Sequence, residues 1–284
     1  VVPLRMKYSE NYLLKYFTKS KLCMTVKSKE DMEGLMAAGS AVANVLKKMT
    51  AYAEIGMSTK EIDEYGGKLL AEYGCSSAPM RDYKFPGYTC ISVNHEVCHG
   101  IPSENNVLKE GDLINIDVSG ELGGYYGDNG NSFIMGEDLQ GLQPLVDASR
   151  EILNKAIGII KHRVKVADIG GLIHTEARKK GYTVIKNLCG HGIGHKLHDG
   201  NIELANFRDR LNRTRLNLNT VIALETFIST KANFVQQQKD GWTMMSKDKS
   251  FVTQHEHTII VRDGFPILTT IENGVSEGYY EHVN

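Results

Sequence analysis

The sequence has no apolar run approaching the ~18 residues that a membrane-crossing helix needs, and its mean hydropathy is -0.29. It has no basic excess. The 33 Lys+Arg against 34 Asp+Glu leave a net charge of -1, a poor footing for gripping a phosphate backbone. It has no Cys-x-x-Cys. The five cysteines, Cys23, Cys75, Cys90, Cys98 and Cys189, are odd in number and widely spaced. That argues against a disulfide framework or a Cys-rich zinc site and points to a reducing, cytoplasmic setting. The apolar pair Leu13-Leu14 is too short for the core of a secretory leader. The glycine-rich run Gly190–Gly194 has no third glycine at the spacing of a dinucleotide loop and lacks the Gly-Lys-Ser/Thr of a phosphate loop.

What is present is an ordinary globular balance of 41% hydrophobic and 24% charged residues over 284 positions, enough for one large domain or two fused halves. Met32, Leu35, Met36, Val42, Leu46 and Met49 recur at helical spacing and predict a helix over 29–53. Ser58-Thr59-Lys60-Glu61 has capping-box form and opens a second helix that stops near Gly74. Strands are expected over 89–93, 113–119 and 124–135. The order then begins again: helices over 142–161 and 166–180, then strands over 182–185, 221–228, 250–253, 257–261 and 267–271. Residues 201–218 have no clear period and read as a loop. Ile62 to Gly74 and Ile169 to Gly181 each span 12 positions, counted from the sequence. This weak duplication predicts two helix-helix-strand halves that lend acidic residues to one shared site.

Four carboxylates stand where apolar strands should be. Asp117 interrupts Leu113–Val118 with Ile114, Ile116 and Val118 on the other face, and Asp128 lies in the next strand. With Leu122-Gly123 as the two-residue loop, Asp117 and Asp128 are expected to face each other. Like charges there repel. A shared proton, a divalent cation or plain solvation at a hairpin edge would each accommodate them. Glu225 in Val221–Ile228 and Glu256 in Gln254–Val261 add two more acids in apolar surroundings, where a lone carboxylate costs several kcal/mol unless paired or bound to metal. His99 and His191 lie beside glycines, which let the backbone approach closely, and His198 ends the same glycine-rich run as His191.

Together, Val97-Cys98-His99-Gly100-Ile101-Pro102, Asn115-Ile116-Asp117-Val118, Asp128, Gly190-His191-Gly192-Ile193-Gly194, Leu224-Glu225 and Glu256-His257-Thr258 resemble the motifs of the methionine aminopeptidases, in the short bacterial type I form. The match covers residues 29–271 and keeps its motifs in order. The resemblance implies the α+β pita-bread fold, two pseudo-symmetric halves around a central antiparallel sheet. It places a flexible extension at 1–28 and a single catalytic domain at 29–284. It implies two divalent ions (Co, Mn or Fe), with Asp117 chelating one, Asp128 and Glu256 bridging both, and His191 and Glu225 on the other. It implies hydrolysis of the bond after an N-terminal methionine, before a small second residue, with Glu225 moving the water's proton. His198 would serve the scissile carbonyl, and His99 the amine side and leaving group. Tyr83, Phe85, Cys90, Leu197 and Trp242 would line the methionine pocket together with His99 and His198. Substrates would be nascent polypeptides and peptides near the ribosome. No nucleic-acid or membrane partner is expected, and the chain is expected to be a monomer.

Some positions depart from the pattern. Thr226 stands where the family usually has proline, Asn129 where threonine is common, and Asp199-Gly200-Asn201 replaces Glu-x-Pro. Thr226 and the 199–201 segment are expected to loosen the site. His195 reads as exposed. Two alternatives remain open here: a pita-bread binding module without catalysis, and a proline dipeptidase-like enzyme, which usually carries a large extra N-terminal domain.

Overall fold

A computed structural model describes residues 23–276 of the chain. The first half opens with α1 (Lys29–Tyr52) and α2 (Thr59–Glu72). Both begin in capping boxes, Ser28 with Asp31 and Ser58 with Glu61, each satisfying otherwise orphaned helix N–H groups. There follow β1 (Ser76–Ser77), the short helix α3 (Ala78–Tyr83), β2 (Cys90–Val93), β3 (Glu96–Cys98), β4 (Leu113–Leu122) and β5 (Tyr125–Ile134). The second half repeats the plan with α4 (Gln143–Gly158) and α5 (Val166–Lys179), then β6 (Thr183–Val184), β7 (Cys189–Gly192), β8 (Glu203–Ala205) and β9 (Val221–Ser229). It closes with β10 (Val235–Gln237), β11 (Met244–Ser246), β12 (Val252–Ile260) and β13 (Ile267–Leu268).

Each half has its own apolar core. Val42, Leu46, Met49, Ile62 and Leu70 of α1 and α2 pack on Ile114, Ile116 and Val118 of β4. Ile152, Leu153, Ile169 and Ile173 of α4 and α5 pack on Ile222, Leu224 and Ile228 of β9. Because strand side chains alternate, the other faces of β4 and β9 carry Asp117 and Glu225 away from the helices. The antiparallel sheets and paired halves are those of the pita-bread fold.

The β4–β5 turn corrects one expectation. The two-residue loop is Gly123-Gly124, both at positive φ (60° and 91°), the backbone that a tight hairpin turn demands. Leu122 therefore pairs with Tyr125, Ser119 with Asp128 and Asp117 with Gly130. Asp117 and Asp128 are diagonal neighbours on one face rather than direct partners. The glycine pair offered two placements of the turn, and positive φ at both glycines chose the later one.

Other elements also differ from expectation. The residues read as two strands over 250–261 form the single strand β12, with Glu256 in its middle. The expected loop over 201–218 contains β8, which pairs with β7. Helix α3 carries no period long enough to be read. At the start, Met24 and Val26 are buried in the core and Thr25 bridges to Thr220, so the body begins before the expected boundary at residue 28. The rest of the expected extension, residues 1–22, lies outside the described residues.

The halves meet where β5 runs beside β12. Thr258 Oγ1 accepts the Asp128 N–H and donates to the Asp128 carbonyl, both at 2.8 Å. Four residues along, Ser132 Oγ accepts the Gln254 N–H and donates to the Gln254 carbonyl, both at 2.9 Å. Two hydroxyls thus clip the backbones of two strands from different sheets. They satisfy buried groups that would otherwise cost about 1–3 kcal/mol each.

Candidate metal centre and active site

All the residues named above as candidates line one cavity of about 110 Å³: Asp117, Asp128, His191, Glu225 and Glu256, with His99, His198, Tyr83, Phe85, Cys90, Leu197 and Trp242. Pro79 and Ser119 line it too, and neither was expected. Asp117 comes from β4, Asp128 from β5, His191 from β7, Glu225 from β9 and Glu256 from β12. The four long strands form two hairpin-like pairs, β4 with β5 and β9 with β12, and each pair brings two carboxylates.

The acids are closer than charge alone permits. Glu225 is the direct antiparallel partner of Glu256, and the carboxyls of Asp117 and Asp128, diagonal neighbours on one face, act on each other. Burial, reinforced by the neighbouring acids, pushes Asp128, Glu225 and Glu256 well above the ordinary carboxylate range. Burial pushes Asp117 up to about 7. The histidines move the other way. Burial lowers His191 to about 4, and burial with the adjacent His191 lowers His99 to about 4. His198 is held well below its usual value by burial and by His191 and His99. Protons would have to stay on buried acids, and cations be kept off buried imidazoles, unless positive charge came from elsewhere.

A divalent ion fits that demand. Ligand atoms of Asp128, His191 and Glu256 lie within 4.8 Å of one another, the one such buried group among the described residues. Asp128 Oδ1 is buried with no hydrogen-bond partner among the described residues, while Oδ2 lies 3.5 Å from His191 Nε2. Neutral imidazole plus carboxylate oxygens is a donor set for a hard or borderline cation. The two remaining expected ligands, Asp117 for one ion and Glu225 for the other, line the same cavity.

The surroundings hold these ligands in place. Gln254 Nε2 donates to Glu256 Oε2 at 2.9 Å, and Asn115 Nδ2 donates to Gln254 Oε1 at 2.8 Å. Gly130 makes room: a Cβ there would sit 2.0 Å from Gln254 Oε1. Ser132 went unremarked in the sequence, and Asn115, Gln254 and Thr258 entered only as members of quoted segments, with no role of their own. Each lies two places or four from an acid on its own strand, so the strand period could have found them.

Three of the departing residues, Asp199, Thr226 and Asn129, are buried and hydrogen-bonded, while Asn201 is exposed. Asp199 is buried. Its backbone N–H donates to Gly192 O at 2.8 Å, its Oδ2 accepts the His195 N–H at 3.1 Å, and Cys23 Sγ donates to its carbonyl at 2.8 Å. Thr226 is buried, with Oγ1 3.3 Å from Ser149 Oγ of α4. Asn129 Nδ2 donates to Val118 O at 2.9 Å and Asn129 Oδ1 accepts from Asn273 at 3.1 Å. His195 is exposed, with Nδ1 3.0 Å from Gly124 O. Burial raises the Cys90 thiol well above its usual range, which fits a small apolar lining group rather than a nucleophile.

The model for metallopeptidase family M24 matches residues 33–263. The chain belongs to this family, among the methionine aminopeptidases. It is 45% identical over 247 residues to methionine aminopeptidase 2 of Bacillus subtilis, a match covering 87% of this chain and 99% of that protein. It superposes on the methionine aminopeptidase of Thermotoga maritima with a TM-score of 0.82 and 30% identity, over 87% of this chain and 99% of the other. The prolidase of Pyrococcus furiosus shares the fold at a TM-score of 0.69 and 17% identity, with 65% of that longer chain covered.

Proposed function

We propose that the protein releases methionine from the N-terminus of peptides and nascent proteins whose second residue is small, using two divalent cations. The observation that carries this reading is the convergence of four strand carboxylates and His191 on one cavity, with Glu225 and Glu256 directly opposed. Asp117 would hold one cation, Asp128 and Glu256 both, and His191 and Glu225 the other. Such ions supply Lewis-acid polarisation of the carbonyl and an acidified water.

The protein's own groups do the rest. Glu225, desolvated and facing Glu256, retains a proton readily. As a carboxylate once cations are bound, it would accept one from the water and deliver it to the leaving amine. Neutral His198 donates a hydrogen bond to the scissile carbonyl as negative charge grows on its oxygen. His99, held at a φ of 55°, serves the amine side. Phe85 and Trp242 meet edge to face with centroids 5.2 Å apart. With Cys90 and Leu197 they offer the methionine side chain an apolar wall.

The test is hydrolysis of Met-Ala-Ser by metal-stripped protein resupplied with Mn, Fe or Co without oxygen, beside Leu-Ala-Ser and Ala-Pro. Metal-dependent release of methionine alone supports the reading. No release by folded protein with any of the three ions would leave a binding module. Cleavage of Ala-Pro would favour a proline dipeptidase-like enzyme.

A further inference from the structure

We propose that Tyr83 is a positioning residue for His198, its phenol holding the imidazole in the tautomer that carries the proton on Nε2. This rests on the reading above in which His198 serves the scissile carbonyl.

Tyr83 was expected to be one more apolar wall of the methionine pocket. Its hydroxyl instead lies 2.6 Å from His198 Nδ1. The same phenol oxygen takes the backbone N–H of His198. One hydroxyl thus grips a single residue at two points, main chain and ring. With its oxygen accepting from the amide, the hydroxyl's own proton is directed to Nδ1. A neutral imidazole has one N–H and one bare nitrogen. A donor at Nδ1 therefore leaves the proton on Nε2, the only ring atom then able to donate to an oxyanion. The wrong tautomer would present a lone pair to a developing negative charge.

The grip is itself anchored. Tyr83 is the last residue of α3, a helix of one and a half turns ended by Lys84 at a φ of 60°. Ser77 caps that helix, accepting the Met80 N–H at 3.4 Å and donating to Tyr88 O at 2.6 Å. Ser77 also pairs with Gly120 of β4, the strand that carries Asp117. The phenol is thus referenced to the same strand as an expected metal ligand. On the other side, the His191 ring lies 4.2 Å from that of His198, centroid to centroid. His198 is held between Tyr83 and His191.

Tyr83→Phe keeps the ring and removes only the hydroxyl. The first readout needs no metal and no activity: 15N spectra of histidine-labelled, metal-free protein. Wild type should show His198 with a bare, hydrogen-bonded Nδ1 and a protonated Nε2. Tyr83→Phe should show a tautomer mixture. The second readout is kinetic. Tyr83→Phe should lower kcat about 10- to 100-fold, the usual cost of losing such an outer partner, with KM changed less than about twofold. In a His198→Ala background the same substitution should change nothing further. A proton on Nδ1 in wild type, unchanged His198 resonances in Tyr83→Phe, or an equal kcat loss in the His198→Ala background would overturn the proposal. Expected spectra in a wild-type protein that releases no methionine would overturn the catalytic reading while supporting the Tyr83–His198 grip.

Discussion

Glu225 and Glu256 are direct cross-strand partners in the middle of β9 and β12. Like charges at such positions destabilise a sheet, and neither side chain sits at an edge where water could dilute the repulsion. The arrangement makes sense as half of a cation cage whose other half, Asp117 and Asp128, comes from the matching pair of strands. Four predictions follow from this geometry and from the cavity around it.

The metal-free protein should lose stability as pH rises above about 6.5. The folded-state values of Asp117, Asp128, Glu225 and Glu256 lie above those of free carboxyls. Over that range the native state therefore binds more protons than the unfolded chain, and stability falls with rising pH. Below 6.5 the buried histidines act in the opposite sense. His99, His191, His255 and His257 are all depressed, to between about 3 and about 4, so the unfolded chain binds the extra protons and their contribution to stability falls with acid. Between about pH 4 and 6.5 the raised carboxyls and the depressed histidines offset one another, so thermal stability of stripped protein should show a broad maximum there and fall on either side. Saturating Mn should abolish the decline on the alkaline side and raise stability by about 2.7 kcal/mol at one hundred times its dissociation constant.

Thr258→Val should be costly although it is nearly isosteric. It leaves the buried N–H and C=O of Asp128 without the hydroxyl that serves both, at a cost of about 1–3 kcal/mol. It also frees β5 from β12, so divalent affinity should weaken by about 10- to 100-fold. Denaturant melts and calorimetric Mn titrations read the two effects separately.

Glu225→Gln should lower kcat by about 10²- to 10⁴-fold, the range for a general acid-base group. It also removes one member of the opposed pair. The metal-free variant should therefore be no less stable than wild type at pH 8. Single-turnover kinetics with Met-Ala-Ser and thermal melts check both halves.

Trp242 is the one tryptophan of the chain, packed edge-on against Phe85 in the cavity. Its fluorescence should respond to free methionine or norleucine with a saturable change and stay silent to alanine. Trp242→Ala should raise KM for Met-Ala-Ser and leave kcat comparatively unmoved.

Much of this site was legible in the sequence because carboxylates among β-branched and apolar residues are conspicuous. Asp117, Glu225 and Glu256 break runs such as Leu113–Val118 and Val221–Ile228. The helix starts were legible too, since Ser58 and Glu61 carry their own signature. Register was not. A Gly-Gly pair after Leu122 admits two turn placements, and only the backbone resolves them. The supporting polar residues, Ser132, Gln254 and Thr258, were hidden for another reason. The strand period puts them on the faces of the acids, but their contacts run across sheets between residues some 120 to 130 positions apart, and those partners no local pattern records. The role of Tyr83 was hidden by its ring, which suits an apolar wall as well as a hydroxyl donor.

The most direct test of the account titrates Mn into stripped wild-type protein and into Glu256→Ala, following bound metal and methionine release in the same samples. In wild type, release from Met-Ala-Ser should begin and saturate as the sites fill. Glu256→Ala should bind weakly and release nothing at the same Mn concentrations. Methionine release by wild-type protein free of metal, or a folded wild type that binds no divalent ion, would contradict it.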